Sequence, residues 1–116
     1  MHETSAHSRT MPPEVIQRYL VARDARDTEG ALATFSPDAK VTDEGHDHHG
    51  TEEIRAWLDT AAAEFTFTRT LLNIDAVDGN TWVLRNRLEG DFPGGLVDLD
   101  FRIVLRHGLI GELAIA

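Results

Sequence analysis

After a polar start, the chain settles into an apolar stripe at helical spacing, with Val15, Ile16, Tyr19, Leu20 and Ala22 on one face. Pro12, Pro13 and Glu14 suit a first helical turn, because proline there loses no hydrogen bond and glutamate meets the positive end of the dipole. The pattern predicts a helix to about Arg26. Asp27 can cap a second, shorter helix through Ala31, Leu32 and Phe35, with Ser36-Pro37-Asp38 as its stop. Residues 40–43 read as a short strand, and Gly45 and Gly50 bracket a turn or tight hairpin. Thr51 then serves as a helix cap, with Glu52 and Glu53 in the first turn. Ile54, Trp57, Leu58, Ala61, Ala62 and Phe65 hold the helical period and predict a third helix.

From there the period changes to two. Residues 65–77 form a strand long enough to carry a bulge, and Asp78-Gly79-Asn80 is a turn. Strands follow over 82–89 and 97–105, separated by a loop at 90–95 with one proline and three glycines. His107-Gly108 turns the chain into a last strand, 109–115. Charge matching predicts a register for the middle hairpin: Arg87 opposite Asp98 and Arg85 opposite Asp100 on one face. The other face then pairs Leu88 with Val97, Leu84 with Phe101 and Trp82 with Ile103. Asn86 falls opposite Leu99, a polar residue on an apolar wall. Helices and a curved antiparallel sheet together predict an α+β domain with the helices packed on one sheet face.

The length, 116 residues, suffices for one core. A formal net charge of −9 with scattered basic residues argues against nucleic acid and against anionic membrane surfaces. There is no cysteine, which excludes disulfides, thiolate metal sites and thiol nucleophiles. No apolar run approaches the roughly 20 residues needed to span a bilayer. Residues 1–10 lack an apolar signal core and read as a short disordered tail, so a cytoplasmic location is the simplest expectation. No glycine-rich nucleotide loop and no nucleophile elbow is present, and no cofactor is expected.

The densest chemistry lies at 43–49, Asp-Glu-Gly-His-Asp-His-His. A metal site would use His46-x-His48 with Glu53, similar to part of a cupin motif. The flanking glycines of that motif are missing, Glu53 falls in a helical turn, and no metal is expected. A second reading makes Asp43 a proton acceptor at a strand end facing an apolar pocket. A third makes the run a solvated polar turn, with Asp43 merely ending its strand.

The chain resembles the nuclear transport factor 2-like superfamily, in its SnoaL-like and ketosteroid-isomerase-like branch. The resemblance rests on Ile16-Gln17-Arg18-Tyr19, on the segment 31–39 with its Phe-x-Pro-Asp-Ala run, on the helix start at 50–55, and on Phe101-Arg102. It implies a cone, with three helices covering a curved, mostly antiparallel sheet around a pocket open at one end. It also implies that Asp43 matches the family's proton-shuttling base and Tyr19 its hydrogen-bond donor to an oxyanion. The family's third residue, an aspartic acid, aligns with Leu99, and Asp98 and Asp100 fall on the opposite sheet face, a departure that counts against steroid isomerisation itself. His48 is a further acid–base candidate, with His46 and His49 open to the same role. Asn86, Trp57, Leu99 and Phe101 are candidate ligand contacts.

The function implied is cofactor-free acid–base isomerisation, cyclisation or dehydration next to a carbonyl, on a small apolar or aromatic ligand. The alternative is a non-catalytic ligand-binding or dimerisation module. Arg85, Arg87, Asp98, Asp100 and Arg102 form a charged outer sheet face, which in this superfamily often meets a second subunit, so a homodimer through that face is expected.

Overall fold

The computed structural model describes residues 11–64 and 66–116. The tail expected at 1–10, and Phe65, lie outside the described residues. Three helices, α1 (Glu14–Asp24), α2 (Thr28–Leu32) and α3 (Gly50–Glu64), pack against a six-stranded sheet. Its strands are β1 (Phe35–Asp43), β2 (His46–His49), β3 (Phe67–Ala76), β4 (Thr81–Gly90), β5 (Leu96–Arg106) and β6 (Leu109–Ile115), in the spatial order β2-β1-β6-β5-β4-β3. Every neighbouring pair is antiparallel except β1 and β6. None of the described helices is long and apolar enough to cross a membrane.

The first helix buries the five residues of its apolar stripe. The Pro13 carbonyl accepts from the amides of Ile16 and Gln17, which starts the helix. It ends at Asp24, two residues short of the expected end, and Arg26 adopts a left-handed φ of 57° that turns the chain out of the helix. Asp27 caps α2 as predicted, its carboxylate accepting from Gly30 N–H at 3.0 Å.

The sequence reading placed the second helix too far along and began the next strand too late. Phe35-Ser36-Pro37-Asp38 already belongs to β1. Proline survives there because the pairing of β1 with β6 shifts register between Phe35 and Lys40, so no ladder bond is asked of Pro37. The start of α3 also differs from expectation. Gly50 is already helical, and Glu53 rather than Thr51 closes the helix start, accepting from His49 N–H at 2.7 Å.

The middle hairpin has the predicted register at every pair, including Arg87 with Asp98, Arg85 with Asp100 and Asn86 with Leu99. Both charged pairs are bidentate, at 2.8 and 3.1 Å and at 2.9 and 3.2 Å. Strand β3 carries the expected bulge, between Leu71 and Asn73. The opposite, concave face of the sheet joins Ile16, Tyr19, Ile54 and Leu58 of the helices to Val41, Leu84, Ile103 and Leu113 in one core.

Candidate functional site

Asp43 is the last residue of β1, and strand pairing places it in a row that runs across the sheet. It pairs with Ile115 on β6, Ile115 pairs with Phe101 on β5, and Phe101 with Leu84 on β4. Because laterally paired residues share a face, Asp43 points to the same concave side as this apolar row. The core fills one end of that side. At the other end a pocket of about 650 Å³ remains open. Its sheet wall is Phe67, Leu88, Val97, Leu99, Phe101 and Ile115, and the loop after β4 adds Phe92 and Pro93. Ala61 and Glu64 of α3, Glu44 of the hairpin and Ala116 complete the rim, and Arg23 and Asp43 are its other charged members.

The hairpin that ends in Asp43 is set by a two-residue turn. Glu44 and Gly45 both have positive φ, 53° and 78°, the pairing that matches the twist of antiparallel strands. Asp43 thus faces His46 across the hairpin, while Val41 faces His48. His46 and His49 are exposed, as are Glu44 and Asp47. His48 is half-buried with its ring 6.0 Å from that of Trp57, and it is not among the pocket-lining residues. Among the described residues, no three His, Asp or Glu side chains converge as a metal ligand set.

Behind the pocket wall is a connected polar layer. Trp57 of α3, buried, donates its indole N–H to Asp43 Oδ2 at 3.1 Å. The Arg23 guanidinium lies over the Trp57 ring, 4.7 Å from its centroid, and 5.6 Å from that of Tyr19. Arg23 Nη1 donates to the Tyr19 hydroxyl at 2.5 Å. Tyr19 itself has no exposed surface and packs edge-on against Phe35. Burial pushes its hydroxyl above its ordinary pKa, and the Arg23 charge and hydrogen bond partly oppose that.

A second cluster lies deeper along β3 and β4. Arg69 grips Asp24 with two hydrogen bonds, at 2.9 and 2.8 Å, and donates a third to Asn86 Oδ1 at 2.8 Å. Asn86 is fully buried, and its Nδ2 has no partner among the described residues.

Leu99, Phe101 and Asp43 therefore line the pocket, Tyr19, Trp57 and Asn86 stand behind its wall, and His48 flanks Trp57. Sequence reasoning overlooked Arg23 and Arg69. Arg23 carried a signal, since it lies one helical turn after Tyr19 on the same face. Arg69 shares the inward parity of Phe67, a signal readable only once the bulge of β3 is located.

A cone of three helices over a curved sheet, with Asp43, Glu44, Glu64 and Arg23 around an otherwise apolar pocket, defines a small-molecule pocket fold. Residues 16–110 match the SnoaL-like domain, and the chain belongs to that family. A candidate polyketide cyclase from Sinorhizobium meliloti is 32% identical, with a TM-score of 0.85 over 90% of this chain and 95% of that one. A protein of ketosteroid isomerase-like fold from Catenulispora acidiphila, solved with trimethylamine, is 17% identical, with a TM-score of 0.80 over 91% of this chain and 86% of that one. A Mycobacterium tuberculosis protein solved with estradiol-17β-hemisuccinate is 23% identical, with a TM-score of 0.73 over 87% and 88%. No curated protein sequence is significantly similar to the chain.

Proposed function

We propose that this protein is a cofactor-free acid–base enzyme that isomerises, cyclises or dehydrates a small apolar or aromatic compound next to a carbonyl. The observation that carries this reading is Asp43 itself, a carboxylate held by the Trp57 indole N–H at the edge of an apolar pocket. One of its oxygens is fixed by that bond, which leaves the other to take a proton from a ligand carbon. The apolar row of Ile115 and Phe101 beside it excludes water from the C–H bond to be broken. The pocket is large enough for a ligand of drug size. Tyr19 sits behind Arg23 and acts on the ligand through it, Asn86 orients the wall through Arg69, and His48, beside the Trp57 ring that holds Asp43, is a second proton-transfer group.

The test is proton exchange. Candidate ketones are incubated in deuterated water with the wild-type protein and with Asp43→Asn. The wild type should wash deuterium into the position next to the carbonyl, and the variant should lose about 100-fold or more of that rate, the usual contribution of a positioned base. Equal exchange by both proteins would remove Asp43 as the base. The alternative reading, a ligand-binding module without turnover, is supported by the same open pocket. It predicts ligand binding by both proteins and exchange by neither.

The outer sheet face supports a homodimer. Its ion pairs are satisfied within one chain, which leaves a nearly neutral surface able to meet its own copy about a two-fold axis.

A further inference from the structure

We infer that Arg23 binds the negatively charged oxygen of the ligand, so that the pocket selects compounds whose carbonyl can become an enolate or phenolate. Among the described residues lining the pocket, Arg23 is the only cation, where it stands with Asp43, Glu44 and Glu64. A half-buried guanidinium normally pairs with a carboxylate. Arg69 does so through Asp24, and Arg85 and Arg87 do so on the outer face. Arg23 forms no ion pair with a described residue, although Asp43 shares its pocket. One of its five N–H groups is spent on the Tyr19 hydroxyl, and the other four make no hydrogen bond to a described residue.

What holds it instead is two aromatic faces and one phenol oxygen. Cation–π contacts with Trp57 and Tyr19 offset part of the desolvation of the charge without neutralising it. Trp57 is also the donor to Asp43, so one indole ring positions the cation with its face and the carboxylate with its edge. Base and cation are thereby kept near each other but not joined. This arrangement suits a reaction in which negative charge moves from one to the other. Asp43 takes a proton from the carbon, the C–H electron pair shifts to the carbonyl oxygen, and that oxygen becomes an anion facing the guanidinium. The neutral Asp43 acid then returns the same proton to another carbon, and the charge returns to Asp43. Tyr19 and Trp57 are positioning residues in this scheme, and the leucine at position 99 leaves no acidic donor to share the task.

This inference rests on the acid–base reading above, but its test needs no turnover. The probe is 4-nitrophenol, whose phenolate absorbs visible light, titrated with and without protein. Asp43, Glu44 and Glu64 all oppose an anion, so a preference for the phenolate must come from Arg23. The wild-type protein should bind the phenolate about tenfold or more tightly than the phenol, the scale of one charge-assisted hydrogen bond. Arg23→Gln should abolish that preference while still binding the neutral phenol. Tyr19→Phe should retain most of it, and Asp43→Asn should strengthen it by removing a nearby negative charge. If wild type and Arg23→Gln favour the phenolate equally, or if neither favours it, Arg23 is not the anion site. Should Arg23→Gln fail to fold, Arg23→Lys takes its place. It keeps the charge but not the planar guanidinium over Trp57, and an undiminished phenolate preference there would overturn the role given to the guanidinium. Loss of exchange in every protein with an intact phenolate preference would remove the enzyme reading and leave the anion site standing.

Discussion

Tyr19 and Arg23 show how one helical turn converts a core residue into part of a site. Residue 19 is the sole tyrosine of the chain, so its ionisation can be followed alone by ultraviolet absorbance. Burial raises its pKa, and Arg23 lowers it by a smaller amount. In the native protein the phenol should therefore ionise above its ordinary value of about 10. Arg23→Gln should move the transition higher still, because the opposing charge is gone. The linkage has a definite sign. A raised folded-state pKa means that the unfolded chain gives up this proton first, so the stability it contributes is complete below about pH 10 and is lost as pH rises through the folded value. A native titration at or below the free-phenol value would mean that the ring is not held as described.

At the scale of elements, the β1–β2 hairpin determines where Asp43 sits. Its turn residues, Glu44 and Gly45, both occupy the left-handed region, which glycine accepts and most side chains resist. Nothing lies within 4 Å of a Cβ added at Gly45, so Gly45→Ala meets no clash. The cost is conformational only, about 1–2 kcal/mol. Glu44→Asn should act in the other direction, raising stability by a few tenths of a kcal/mol to about 1 kcal/mol, because asparagine tolerates this region. Urea unfolding midpoints at constant m-value check both. If Gly45→Ala changed nothing, the turn would not be the one described. The hairpin's location was legible in the glycines, and the bulge of β3 in that strand's excess length. The early start of β1 was not, because Ser-Pro-Asp is a strong turn signal locally and only the irregular pairing with β6 overrides it.

For the whole molecule, the concave and outer faces of the sheet divide the work. The concave face holds the core and the pocket, and the outer face holds Arg85–Asp100 and Arg87–Asp98. The Arg87 guanidinium beside Asp98 holds its carboxyl below the usual range. With a net charge of −9, two copies repel each other at long range. Dimerisation through the outer face should therefore strengthen as salt is raised from low levels, because screening weakens that repulsion. Replacing both Asp98 and Asp100 by arginine would cluster positive charge on this face and should yield monomers in sedimentation experiments. A wild-type protein that stays monomeric at high concentration and moderate salt would exclude this interface.

The sequence by itself determined the fold class, the three helices, the hairpin around residue 45 and the register of β4 on β5. Each of these depends on local spacing: apolar residues at helical or alternating period, turn residues at fixed offsets, and opposite charges that pair in only one alignment. It also singled out Asp43, through the dense run of titratable residues at 43–49, its place at a strand end and its match to the family's base. The tertiary structure alone decided what surrounds that carboxylate. Trp57 reaches it from α3, 14 residues further along the chain, and Arg23 of α1, 20 residues back, lies over the Trp57 ring. No periodicity relates them, since their meeting depends on how α1 and α3 cross the sheet. For the same reason Tyr19, on the apolar face of α1, could be assigned to the interior but not to its place behind Arg23.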